Sequence, residues 1–353
     1  MNKSHTILII NPGSTSTKIA VSIDGKISVS EVIPHPASDL KQFAGIWGQF
    51  PYRLKLCQEW AATRSKEYSA VVAMGGLLRP LQGGTYLVND RMLKDSRANL
   101  QGEHASNLGC ALAFELAAKY KCQAYIVDPV SVDEFEPLAF YSGHPKIKRK
   151  CLSHALNIHA AARRGAEELK ISLQDSSLIV CHLGGGISVA PVLGGRIIDV
   201  NDASSDGPFS PERTGGLPLQ QFVSLCFSGE YNEDEMRKFV MGKGGIVAYL
   251  GTNSLIEVEQ RISQGDETAK EVYQAMAYQI AKEIGSMATV ISGKINAIII
   301  TGGIAKSKML VDWIKERVGF IAPLIVYPGE DEMLSLSQGA LRVLNGEEQY
   351  KEY

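Results

Sequence analysis

The chain has little of what marks a secreted scaffold, a zinc ribbon or a membrane protein. Its 353 residues hold six cysteines, Cys57, Cys110, Cys122, Cys151, Cys181 and Cys226, with no CxxC pair among them. That scatter argues against zinc ribbons and disulfide frameworks and leaves the thiols as small core hydrophobes. The seven histidines contain no HExxH, so no helical pair of metal-ligating imidazoles is present. Any metal is therefore expected on oxygen ligands and in the company of a nucleotide. No window reaches membrane-spanning length, and MNKSH runs straight into the strand-like ILII without the apolar segment of a signal peptide. A cytoplasmic location is expected. A formal net charge of −2 gives no general attraction to nucleic acid or to an anionic membrane, so neither is an expected partner and any phosphate must be held by local groups.

What is present is an ordinary globular composition, 45% hydrophobic and 21% charged, in a chain longer than one hydrophobic core usually serves. Two segments far apart share one order of events. ILIINPGSTSTKIAVSIDGKISVSEV, from Ile7 to Val32, and LIVCHLGGGISVAPVLGGRIIDVND, from Leu178 to Asp202, each run strand, glycine-containing turn, alternating strand, tight turn and third strand. A second correspondence pairs VVAMGGLL, Val71 to Leu78, with IIITGGIA, Ile298 to Ala305. Apolar residues at helical spacing predict helices in SNLGCALAFELAAKY, CLSHALNIHAAARRGAEELK, DETAKEVYQAMAYQIAKEIGSMATVI and SKMLVDWIKERV. The pattern predicts a duplicated α/β fold with two domains around a cleft. The polar stretch Ser142 to Lys150 is the expected switch, giving domains 1–148 and 149–332. Whether the closing helix, within 333–353, packs back on the first domain is left open.

Three glycine-bearing loops carry the chemistry. In Asn11-Pro-Gly-Ser-Thr-Ser-Thr-Lys18, Gly13 lets backbone approach an anion, Ser14, Thr15, Ser16 and Thr17 offer hydroxyls, and Lys18 adds charge. It is not a Walker loop, because counting from Gly13 a lysine stands where glycine is required and a strand follows in place of a helix. Alone it also fits a polar hairpin turn. The second copy, His182-Leu-Gly184-Gly185-Gly186, stands at the corresponding place, and two such loops can close on one polyphosphate. Taken singly, tripled glycines mark a bulge and His182 a structural histidine. The third loop, Gly302-Gly303-Ile304 after the strand NAIIIT, exposes bare backbone to a flat ligand such as adenine or ribose, or is simply a glycine-rich connection.

Taken in order, NPGSTSTK, GGLLRP, GEHASNLG, VDPVSVDE, HALN, HLGGGIS, DGPFSPERTGGLP, AYLGT and TGGIA resemble the butyrate kinases, over nearly the whole chain. These belong with acetate kinase in the superfamily of acetate and sugar kinases, heat-shock chaperones and actin, which implies a duplicated actin-like, ribonuclease H-like ATPase fold. The resemblance implies transfer of phosphate from ATP with Mg2+ to butanoate or 2-methylpropanoate, and a homodimer or larger homo-oligomer. It places Asn11, Ser14, Ser16 and Lys18 in the first phosphate loop, His182 and Gly184 to Gly186 in the second, and Gly302, Gly303 and Ile304 at adenosine. Asp128, His104, His154 and Arg213 match positions around the transferring group, with Asn11, Asp128 and Glu332 toward the metal. An acetate or propionate kinase and a nucleotide switch without acyl phosphate chemistry are the alternatives. GGLLRP replaces the histidine-containing run of acetate kinases. Met74 stands where butyrate kinases commonly carry arginine, which implies altered acceptor binding, with Arg79 the candidate to take its place.

Overall fold

The computed structural model describes residues 4–353, which divide into two compact units. The first comprises the chain up to Asp133 together with Asp331–Tyr353, the second Glu134–Glu330.

The first unit is built on a six-stranded sheet. Strands β1 (Thr6–Pro12), β2 (Ser16–Ile23) and β3 (Lys26–Pro34) form an antiparallel meander. Strands β4 (Ala70–Met74) and β6 (Gln123–Val127) run parallel to β1 beyond it, and β5 (Thr85–Leu87) closes the edge, in the order β3-β2-β1-β4-β6-β5. Ile7 to Ile10 form an unbroken apolar run that is fully buried, as a central strand covered on both faces requires. β3, by contrast, keeps its polar residues outward along an edge. The β2–β3 turn puts both Asp24 and Gly25 at positive φ, 48° and 76°, the backbone of a type I′ hairpin.

One face of this sheet carries helices Phe50–Ala62 and Leu108–Tyr120 in a shared core with Leu8, Ile10, Val71 and Ile126. Pro51 starts the first of them, where a missing N–H costs nothing. The C-terminal helix Glu332–Leu344 lies against β1, β4 and β6, and a buried Ser22–Ser337 hydroxyl pair joins it to β2.

The second unit repeats the plan. Strands β7 (Ser177–Leu183), β8 (Ile187–Leu193) and β9 (Arg196–Ile197) form the meander, with the same turn at Gly194 and Gly195, φ 58° and 80°. β10 (Ala297–Gly302) and β11 (Leu324–Pro328) add in parallel, in the order β11-β10-β7-β8-β9. Helix Ala155–Leu169 lies against β7 and β10, and the long helix Glu267–Val290 buries Tyr273, Met276, Ala277, Ile280, Ile284 and Met287 at helical spacing.

The polar stretch Ser142–Lys150 lies inside the second unit. Glu136 already donates its N–H to Ile198 (3.0 Å), Glu134 accepts from the Ile197 amide (2.8 Å), and Arg149 pairs with Asp199 (2.8 Å). All six cysteines are free, with Cys57, Cys110, Cys151 and Cys181 buried as core hydrophobes. Among the described residues no helix is long and apolar enough to cross a membrane.

Candidate active site

In the first unit the chemistry gathers where β1 ends. The β1–β2 hairpin is closed by the Gly13 N–H donating to the Ser16 carbonyl at 2.8 Å. Ser14, Thr15 and Lys18 are exposed at its tip, whereas Thr17, only 1% exposed, bonds inward to the ring Nε2 of His35 at 2.8 Å. Thr17 is therefore a support of the loop and not one of its outward donors, because the strand pleat turns its side chain to the core side. Asn11 donates from Nδ2 to Glu332 Oε2 at 2.7 Å, and Lys18 Nζ approaches the same oxygen at 3.5 Å. Residues 321 positions apart are thus joined by the C-terminal helix, whose first residue is Glu332.

Asp128 sits just past β6, buried, with φ of 40°, an unusual left-handed setting for a non-glycine residue. It exchanges two bonds with Gly84: its N–H donates to the Gly84 carbonyl (3.0 Å) and its Oδ1 accepts the Gly84 amide (2.6 Å). His104 is exposed, with Nδ1 held by Ser106 at 2.7 Å. Its motif is tied to GGLL through Asn107, whose Oδ1 accepts from the Leu77 amide at 2.8 Å. Met74 ends β4 as a buried side chain. Arg79, the candidate to take the place of the absent arginine, bonds Asp95 through both Nε and Nη2, and this holds the Asp95 carboxyl below its ordinary range.

The second unit brings its predicted residues into one cluster. His182, on β7 and opposite Thr301 of β10, stacks its ring on His154 with centroids 4.1 Å apart. His154 stands at the start of helix Ala155–Leu169, and its Nδ1 meets the Ser188 hydroxyl at 3.0 Å. Burial, helped by His182 and Arg213, pushes His154 down to about 3, so it is a neutral imidazole at neutral pH. When the Ser188 hydroxyl donates to Nδ1, the ring carries its proton on Nε2; in the other tautomer Nδ1 donates to the hydroxyl.

The second loop is closed by Gly184 N–H to the Gly186 carbonyl (3.1 Å), and Ser210 holds the Gly185 carbonyl (2.6 Å). Arg213 donates to the Ala203 carbonyl at 3.0 Å and lies so close over the loop that a Cβ on Gly186 would stand 2.3 Å from Nη1. Gly302, at φ 98°, would put a Cβ 2.2 Å from the Leu183 carbonyl, so only glycine brings the third loop against the second. Gly303 is exposed beside it and Ile304 is half-buried. Glu330 accepts from the Gly303 amide and lies 3.4 Å from His182 Nε2, and that His182 bond lowers its carboxyl to about 2.

The sequence profile of the acetokinase family matches residues 145–321. Butyrate kinase 2 of Clostridium acetobutylicum is 51% identical over 352 residues, 98% of this chain and 99% of the relative. The chain belongs to the acetokinase family. Probable butyrate kinase 2 of Caldanaerobacter subterraneus subsp. tengcongensis is also 51% identical, over 98% of this chain and 99% of its own. Among solved structures, Porphyromonas gingivalis acetate kinase shares the fold with a TM-score of 0.78, covering 96% of this chain and 100% of that one at 16% identity. The duplicated actin-like ATPase fold expected from the sequence is the one observed.

Within this acetokinase-family chain, four residues that touch the predicted loops and side chains lie outside the sequence motifs' site reading: Arg53 in the first unit, and Ser188, Ser210 and Glu330 in the second. Ser188 and Ser210 sit inside quoted motifs, HLGGGIS and DGPFSPERTGGLP, so proximity to the glycines was their one available signal. Glu330 shares PGEDEM with Glu332. Arg53 carries no motif at all.

Proposed function

We propose that this chain transfers the γ-phosphoryl group of ATP reversibly to the carboxylate of butyrate or isobutyrate, giving an acyl phosphate and ADP. The observation that carries the reading is 51% identity, end to end, to butyrate kinases, joined to a His154–His182–Arg213 cluster around the second glycine loop.

A carboxylate acceptor is ionised at neutral pH and needs no general base. One of its oxygens attacks the γ-phosphorus in line, the bond to the β,γ-bridging oxygen breaks, and ADP leaves with that electron pair. What remains for the protein is alignment and charge stabilisation. Neutral His154 donates from Nε2 in the tautomer whose Nδ1 accepts from Ser188, and Arg213 supplies charge-assisted bonds. The Gly184–Gly186 backbone donates to nucleotide phosphates beside His182, whose Nε2 is bonded to Glu330, with Gly302, Gly303 and Ile304 against adenosine. Ser14, Ser16 and Lys18 present donors to phosphoryl oxygens. Asp128 and His104 position the reacting group.

The donor set fits magnesium. Asn11 and Glu332 meet at 2.7 Å and Asp128 is buried just past β6, at the C-terminal end of the same parallel strands as Asn11, all oxygen-bearing, while no group of three or more His, Cys, Asp or Glu among the described residues forms a dedicated cage. Asn11, Asp128 and Glu332 would hold a magnesium ion, which would supply neutralisation of the charge developing on the phosphoryl oxygens. A homodimer or larger homo-oligomer belongs to the same proposal and is read by sedimentation equilibrium.

ADP release measured with and without butyrate tests the reading. Acid-dependent turnover is expected. ATP consumption that ignores the acid would contradict it.

A further inference from the structure

Behind the first hairpin lies a buried arginine that no motif contains. Arg53, fully buried on helix Phe50–Ala62, occupies a core position on the same face as Cys57, Trp60 and Ala61. Its Nη1 donates to the Gly13 carbonyl at 2.7 Å and to the Ser16 carbonyl and Thr17 Oγ1 at 3.3 Å each. Its Nη2 donates to the Ser14 carbonyl at 3.1 Å, and Gln49 Oε1 accepts from Nε at 3.1 Å and Nη2 at 2.8 Å. Among the described residues no carboxylate pairs with it. A buried guanidinium without a counter-ion is costly, so such an arrangement needs compensation from somewhere.

The contacts have a direction. Arg53 takes the carbonyls of Gly13, Ser14 and Ser16, and the His35 amide takes that of Thr15 at 2.8 Å. All four carbonyls of the turn are engaged on the protein side. The Ser14 and Thr15 amides lie between the strands and meet no backbone acceptor among the described residues. An anion at the tip therefore meets amides and hydroxyls, with carbonyl lone pairs turned away. Thr17 accepts from Arg53 and so gives its own proton to His35 Nε2, which burial and the Arg53 charge keep unprotonated, down to about 4.

We propose that Arg53 is a positioning residue for phosphoryl transfer: its guanidinium turns the carbonyls of Gly13, Ser14 and Ser16 inward so that the hairpin presents only donors to phosphate, and the bound phosphate supplies the missing counter-charge. This rests on the hairpin being a phosphate loop.

The test is steady-state kinetics of Arg53→Gln, Arg53→Lys, Gln49→Leu and a Ser14→Ala/Ser16→Ala double variant, with kcat and KM measured separately for ATP and for butyrate and folding checked by thermal melting. For Arg53→Gln, kcat/KM for ATP falls about 100-fold while KM for butyrate moves less than about 3-fold. Arg53→Lys recovers little of it, since an ammonium cannot fork across three carbonyls. A merely structural arginine would lower the melting temperature and leave the kinetic constants of the folded fraction unchanged. Folded Arg53→Gln with ATP constants within about 3-fold of wild type would overturn the proposal. Should Arg53→Gln fail to fold, Gln49→Leu decides: it keeps the charge but frees the fork, so a drop of about 10-fold for ATP is expected and no change overturns the proposal. A silent Ser14/Ser16 double variant overturns the phosphate-loop reading itself. Loss in that variant beside a silent Arg53→Gln overturns only the role of Arg53.

Discussion

The imidazoles of His35 and His154 are held neutral by burial, and both contribute to the protein's acid response. The unfolded chain protonates each near its ordinary 6.5, whereas burial lowers His35 to about 4 and His154 to about 3 in the folded chain. Between those limits the unfolded state binds more protons, so stability falls as pH drops below about 6.5, and the loss is complete near 4 for His35 and near 3 for His154. Urea midpoints measured from pH 7 to 4 should decline accordingly, with a shallower slope in His35→Gln; a flat profile would contradict the assignment. Met74 makes a second residue-scale prediction. Arg79, the candidate to stand in for the arginine that the resemblance leads one to expect before Gly75, is bonded to Asp95. Met74→Arg should change kcat/KM across linear and branched acids, and an unchanged panel would show that the position does not touch the acceptor. At this scale legibility depended on motif context. Asn11 and Glu332 are bonded, and His154, His182 and Arg213 cluster, as their motifs suggested. Arg53 was invisible because an arginine in a helical run reads as a solvated side chain; only its spacing to Cys57, Trp60 and Ala61 betrays a core position. PGEDEM contains two candidates that sequence cannot separate, and they part company: Glu330 goes to His182, Glu332 to Asn11.

The elements that matter most are the two glycine hairpins, each braced from behind by different means. Arg53 and His35 hold the first, Ser210 and Arg213 flank the second. In the second, Gly186 leaves room for the Arg213 guanidinium, so Gly186→Ala should displace it and lower kcat by about 100-fold with little change in melting temperature. A kcat within about 2-fold of wild type would show that Arg213 does not need this seat. The hairpins were legible because alternation, tight-turn residues and their repetition all agree, and the four helices named from periodicity form as Ala155–Leu169, Glu267–Val290, Leu108–Tyr120 and Lys308–Val318. Helix Phe50–Ala62 escaped notice because Arg53 interrupts its apolar face and Pro51 reads first as a breaker.

At the scale of the molecule, the duplication explains why both sheets show one strand order, with β5 the addition to the first. The return of Glu332–Leu344 to the first unit is a long-range choice, visible only once its apolar face meets β1 and β4. Local pattern does not record such contacts. The same holds for acceptor size, which depends on how side chains from separated segments close a pocket, each methylene accommodated or refused being worth about 1–3 kcal/mol. Acyl phosphate formation trapped as hydroxamate across acids of two to six carbons, linear and branched, tests the central claim most directly. Strongest trapping with butyrate or isobutyrate is predicted; strongest trapping with acetate, or none with any acid, would contradict it.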